Sequence, residues 1–370
     1  MKPPSYCIRV QSYAYVYKRL LTCASVYFRM QLFAVWFGFF LRAIFVLVMF
    51  NRLFVICILT FCLWPITALP WGFYGHRLIN RAAIFTLPPE LFAFYRYHLP
   101  YLEEEATAAD RRRGSDPLEG PRHFIDLERY GPPPYVLLPH TWSEAVACFG
   151  EEELHEHGIL PWHIQLVYYR LTEAFRQGDY DRILRLSADL GHYVADAHVP
   201  LHVTQNYNGQ LTGQHGLHSL LESRIPEMLG SEYDLLTGQA RVVDRVRDLV
   251  WECVLESAGF VPIVFSSDCQ TRDSLPEDIW KVPIVRGQTR VMAYSGSYTL
   301  LFNDFLGNLM EDRMRLAIHR LGSLWLTAWV EAGQPTLETD LKPPELSLDK
   351  PERKEGMSAT KETHPCESDD

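Results

Sequence analysis

The stretch LGHYVADAHVPLH places His192 and Asp196 four residues apart, with His202 six residues further on and just past Pro200. GLHSLLE repeats the first spacing with His218 and Glu222. Residues four apart share one face of a helix, so each pair can aim an imidazole and a carboxylate at one point. A single pair of this kind is most simply an ion pair on a solvated face. Two pairs between residues 192 and 222, with a third histidine at the hinge, fit the nitrogen and oxygen donors that zinc takes at about 2.0–2.2 Å. Upstream, GPRHFIDLERY carries His123 and Asp126, and Asp110 in ADRRRG precedes His123 by thirteen residues. Alone, Asp110 reads as an exposed loop acid and His123 as a core histidine; they gain weight only beside the others.

A further cluster, WGFYGH, begins at Trp71, directly after the apolar run ending ITALP. Taken in order, WGFYGH, a loop aspartate ahead of HFID, H-x3-D-x5-H and H-x3-E resemble the zinc-dependent S1/P1 nuclease and phospholipase C superfamily over about residues 71–333. The resemblance implies an all-α domain holding three zinc ions in one cleft. It assigns one ion to Asp110, His123, His192 and Asp196, and a second to His202, His218 and Glu222. The third would take the free amine and carbonyl oxygen of Trp71, as the first residue of the processed chain, with His76 and a bridging Asp196. Hydroxide bridging two zinc ions would attack phosphorus, with Asp110 orienting it and Arg113 reaching a non-bridging phosphate oxygen. Phe124 and Asp126 fall where the nucleases of the family stack a base and bond its edge.

Two substrate classes stay open on the resemblance. Trp71 and His76, five apart, match the nuclease side, and single-stranded nucleic acid or nucleotides are the first expectation. Glu222 matches the phospholipase side, with a phospholipid headgroup as substrate. A non-catalytic zinc-binding exported protein is a third reading; it requires closed sites with no open position. No protein partner is implied, and a monomer is expected. Arg113 could equally be one of three solvated arginines, Phe124 a core residue and Asp126 a loop cap.

The elements that must carry these side chains read as helices. RLINRAAIF is amphipathic, and Pro88–Pro89 open a helix near ELFAFYRYHL. PWHIQLVYYRLTEAFRQ has Pro161 at its start and Gly178 after its end, a helix signature at both termini. DYDRILRLSADLGHYVADAHVP follows and ends at Pro200. LHSLLESRIPEML and ARVVDRVRDLVWECVLESA are two more, and residues 290–332 read as one or two helices ending at Gly333. Residues 103–140 read as loop, and no alternating strand pair stands out. The expected fold class is therefore all-α, a single helical domain over 71–333.

The flanks differ in composition. Residues 1–70 hold no Asp or Glu and seven basic residues, so they read as an N-terminal extension and signal segment rather than as fold. From Met49, a basic residue, an apolar core and small residues follow the secretory order, which points to Met49 or Met30 as the functional start. A retained membrane tether is the alternative, although Arg42 is costly inside a bilayer. Export to the periplasm or the medium is the expected location. Residues 71–370 carry 45 acidic against 28 basic side chains, a formal charge of −17, which repels polyanions unless something positive is added. Three zinc ions against the carboxylates of Asp110, Asp196 and Glu222 would make the cleft positive. Residues 334–370 read as a disordered acidic tail. The cysteines after residue 70 lack metal spacing, and Cys253 with Cys269 could form a disulfide.

Overall fold

The computed structural model describes residues 73–286, 289–338, 342–344 and 346. The N-terminal extension, Trp71 and most of the acidic tail lie outside the described residues, and so do the expectations placed on them. The described chain is mostly helical. Helices α1 (Phe73–Ile84), α2 (Pro89–Tyr97), α3 (Leu99–Glu105) and α4 (Ala108–Arg112) come first. After two 3₁₀ turns, Gly120–His123 and Leu127–Tyr130, follow α5 (Trp142–Phe149), α6 (Glu151–Glu156), α7 (Leu160–Gln177) and α8 (Tyr180–Ala197). A 3₁₀ turn at Pro200–His202 leads to α9 (Leu217–Ser219), a π-turn at Leu220–Arg224, α10 (Ile225–Leu229) and α11 (Val246–Ser274). The strands β1 (Lys281–Arg286) and β2 (Thr289–Tyr294) precede α12 (Gly296–Leu306) and α13 (Leu309–Glu331).

Local signals account for the two helices that matter most. Pro161 sits in the first turn of α7, where its missing N–H costs nothing, and Gly178 ends the helix at φ 63°. The Asp179 side chain then accepts from the Arg182 N–H at 3.1 Å and opens α8. The two helices lie side by side, α13 packs on both and on α1, and α11 packs against α7 and α8. Between them Phe94, Phe175, Leu190 and Trp325 are buried in the larger of two apolar clusters. Leu217, Leu221, Tyr298 and Phe302 form the smaller one. His202 falls between Leu201 of the smaller cluster and Val203 of the larger, so both cores hold it in place.

Three expectations need correction. The stretch from 103 to 140 is not all loop, because α3 and α4 carry Glu105 and Asp110; both helices are too short to show a period. A strand pair exists: Lys281 pairs with Tyr294 and Arg286 with Thr289 in an antiparallel hairpin. It is anchored by the Lys281 ammonium and the Tyr294 hydroxyl, which donate to the His215 carbonyl at 2.9 and 3.1 Å. Pro283 and a short alternation hide it in the sequence. Helix α11 runs well beyond Ala258, through Pro262, which lies on the exposed side. It is long and apolar enough to span a membrane, yet Val250, Trp251, Val254 and Asp268 on it are buried. Cys253 and Cys269 are free thiols.

One contact sets how deeply α1 seats on α8. A Cβ placed on Gly191 would stand 1.8 Å from Asn80 Oδ1. Asn80 cannot swing aside cheaply: it is fully buried, and its amide donates to the carbonyls of Leu102 and Ala188 at 3.2 and 3.3 Å. Gly191→Ala is therefore expected to destabilise the chain by about 1–3 kcal/mol despite the better helix propensity of alanine. A thermal melt that rises instead of falling would contradict this seating.

Candidate metal centre

Seven segments bring their polar side chains to one pit. His76 comes from α1, Asp110 from α4 and His123 from the end of the first 3₁₀ turn. His192 and Asp196 come from one face of α8, and His202 follows the α8 terminus. His218 and Glu222 stand on α9 and the π-turn. Pro226 has no N–H to give to the Glu222 carbonyl, which suits the wider π-turn there. A Cβ on Gly75 would lie 3.8 Å from that same carbonyl, so α1 seats against the turn and sets His76 beside Glu222.

The donor atoms face one another. Asp196 Oδ2 lies 3.0 Å from His123 Nδ1 and 3.4 Å from His192 Nε2. Its other oxygen, Oδ1, lies 3.4 Å from His76 Nε2. Asp110 Oδ1 stands 3.8 Å from both His123 Nδ1 and His192 Nε2. Glu222 Oε2 is 2.8 Å from His218 Nε2 and 3.3 Å from His202 Nε2, while Oε1 is 3.1 Å from His76 Nε2. Donors tetrahedrally placed at about 2.0–2.2 Å from zinc are about 3.3–3.6 Å apart, so these separations suit a shared cation. Three groups in the pit meet the requirement: His76, His192 and Asp196; Asp110, His123 and His192; and His202, His218 and Glu222; a fourth, Glu153, Glu156 and His157, lies mostly exposed.

The ring orientations favour the same use. His192 Nδ1 donates to the Ala106 carbonyl at 2.9 Å, and His202 Nδ1 to the His123 carbonyl at 2.5 Å. A carbonyl can only accept, so each Nδ1 carries a proton and each Nε2 is free to offer a lone pair when the ring is neutral. Asp196 Oδ1 is buried and accepts no hydrogen bond. An unsatisfied buried carboxylate oxygen is costly, and a cation would relieve it. The residues present therefore fit a divalent metal.

Without metal the pit is a mutually charged network. Burial opposes a proton on His123, but Asp196 and Glu119 hold its pKa up at about 9. Burial likewise opposes one on His202, and Asp196 and Glu222 raise it to about 9. His76 is shifted upward too, against its burial, by Glu222 and Asp196. Burial wins at His192, which falls to about 4. Burial opposes the charges of Asp196 and Glu222, yet the surrounding imidazoles hold both carboxyls well below the ordinary range.

The candidate side chains within the described residues thus meet; His192 belongs to two of the three groups, and Asp196 faces His76 with one oxygen and His123 and His192 with the other. Glu222 goes further than expected: its two oxygens face His76 on one side and His202 and His218 on the other. The pit reaches solvent, since His218 is 30% exposed and Asp110 18%. Arg113 stands at that rim, half exposed, 3.7 Å from Asp110 Oδ1. Phe124 is half-buried against Gly158, whose Cβ would strike its ring and carbonyl. Asp126 is 3.2 Å from His157 Nδ1, and burial raises its pKa.

The spacing of ligands alone does not reveal Glu119. It is fully buried, its Oε1 lies 3.4 Å from His123 Nε2, and it accepts from Tyr193, Arg112 and Arg122. Its place four residues before His123 was the available signal. His198, in contrast, lies away from the pit: its Nδ1 donates to Val194 O at 2.7 Å and its Nε2 is 3.2 Å from the Arg320 guanidinium.

Compared with known proteins, the chain matches no family model, and among curated proteins there is no match in sequence.

Proposed function

We propose that this chain is a zinc-dependent phosphodiesterase of the S1/P1 nuclease and phospholipase C type, acting on single-stranded nucleic acid or nucleotides. The observation that carries the reading is the convergence of eight imidazole and carboxylate side chains on one solvent-reaching pit, with Asp196 and Glu222 each facing two groups. In this reading three zinc ions are held there, with Trp71 completing the third set once an exported chain has been cut before it. Zinc bound there would supply Lewis acidity toward phosphate oxygens and lower the pKa of a water to about 7.

The chain's own residues supply the rest. Buried imidazoles fixed by backbone carbonyls keep the donors in place without reorganisation. Asp110, at the open edge, accepts a proton from the attacking water and orients it. Arg113 is free to turn from Asp110 to a non-bridging phosphate oxygen, a charge-assisted bond. Phe124 offers a ring face to a base, and Asp126, steadied by His157, accepts from the base edge.

The test is hydrolysis of single-stranded DNA and of phosphatidylcholine by the purified, zinc-loaded chain, before and after chelation. Turnover of DNA that vanishes on chelation is expected. Turnover of lipid alone would transfer the reading to a phospholipase C, and metal without any hydrolysis would make the site structural. Phe124→Ala is expected to weaken DNA cleavage through KM by about 5- to 150-fold, since base stacking contributes about 1–3 kcal/mol. An unchanged KM would remove Phe124 from the substrate site. N-terminal sequencing of the exported chain checks Trp71.

A further inference from the structure

We infer that Glu119 is a positioning residue for the metal centre: it fixes His123 in the tautomer that presents Nδ1 to the ligand cluster. This rests on the reading that the cluster holds metal. His123 turns Nδ1 inward, 3.0 Å from both Asp196 Oδ2 and His192 Nε2. Its Nε2 therefore points out of the cluster; it is buried without a hydrogen bond, and the nearest carboxylate oxygen facing it is Glu119 Oε1 at 3.4 Å. A neutral imidazole that gives Nδ1 to a cation must carry its proton on Nε2, and that N–H needs an acceptor. Glu119 is the carboxylate that stands there.

The carboxylate is itself immobilised. Tyr193 donates to Oε1, and Arg122 reaches Oε2 at 2.6 Å and Arg112 at 3.3 Å. Tyr193 follows the ligand His192 on α8, so Glu119 ties the 3₁₀ turn carrying one ligand to the helix carrying two others. Burial works against the charge of Glu119, but His123, Arg112 and Arg122 hold its carboxyl far below the ordinary range. The two arginines do not depend on it alone: Arg112 also pairs with Asp189 at 3.0 Å and Arg122 with Asp116 at 3.5 Å. Glu119→Gln therefore leaves each with a carboxylate while weakening the acceptor for His123.

The full chain, zinc-loaded, is titrated with a chelator while bound metal is counted, and its metal-free form is melted. For Glu119→Gln one ion of the set is expected to leave at about 10- to 100-fold lower chelator strength than in the unaltered chain, with a fall in metal-free melting too small to account for that loss. Retention as tight as in the unaltered chain would overturn the role. So would a metal loss matched by an equal fall in metal-free melting, because Glu119 would then only hold the fold. Nitrogen-15 NMR of the unaltered zinc-loaded chain needs no variant: His123 is expected to bind metal through Nδ1 and keep a protonated Nε2. The opposite tautomer overturns the proposal even if Glu119→Gln fails to fold. An unaltered chain that takes up no metal would overturn both this role and the metal reading beneath it.

Discussion

Asp196→Asn is expected to lower metal-dependent hydrolysis by at least about 10²–10³-fold, the scale on which one preorganised electrostatic contact counts in catalysis. The reason lies in the number of tasks on one carboxylate. Its Oδ2 faces His123 and His192, and its Oδ1 faces His76. An amide keeps the volume but offers one oxygen, removes the charge and turns an NH₂ toward one of the two groups. One ligand group loses its donor outright, and the other keeps only an uncharged oxygen. The fold should survive, because a buried neutral amide is easier to desolvate than a carboxylate. Bound metal and steady-state hydrolysis measured on the same preparation check this. A variant that keeps both its metal and its turnover would show that Asp196 is an ordinary buried acid.

Metal uptake by the metal-free chain at pH 7 is expected to release protons and to tighten steeply with pH. His123 and His202 both have pKa values held at about 9, so at neutral pH each carries a proton that a cation must displace. Each displaced proton changes the apparent affinity by up to about tenfold per pH unit. Two together give up to about a hundredfold per unit, flattening as pH approaches 9. Calorimetry in buffers of different ionisation heat counts the protons; uptake with none released contradicts the paired state.

The same groups set the stability of the metal-free chain. His76, His123 and His202 are all raised and contribute fully below their ordinary value of 6.5; for His123 and His202 that contribution fades as pH rises through about 9. The depressed carboxyls of Asp196 and Glu222 contribute fully above their ordinary values of 3.8 and 4.5, and are lost toward acid. His192, held at about 4, works the other way and costs stability progressively as pH falls below 6.5, so the chelated chain should melt highest near pH 6.5.

The residue order by itself determined the helical character of the chain and the faces on which the candidate metal-binding side chains stand. Those are local matters. A spacing of four places His192 above Asp196 whatever the rest of the chain does, and Pro161, Gly178 and Asp179 mark helix ends through bonds to their near neighbours. The β-hairpin, the helices bearing Glu105 and Asp110 and the run of α11 past Pro262 were less legible. Each depends on partners across the chain or spans too few residues to show a period. Only the tertiary structure decided what meets what. His76 reaches Glu222 across 146 residues of sequence, and Glu222 faces two ligand groups because α1 seats closely on the π-turn and on α8. Glu119 meets the far side of His123 for the same kind of reason. A helical period records which way a side chain points, whereas the depth and register of one helix against another come from packing, where Asn80 fits the space left by Gly191.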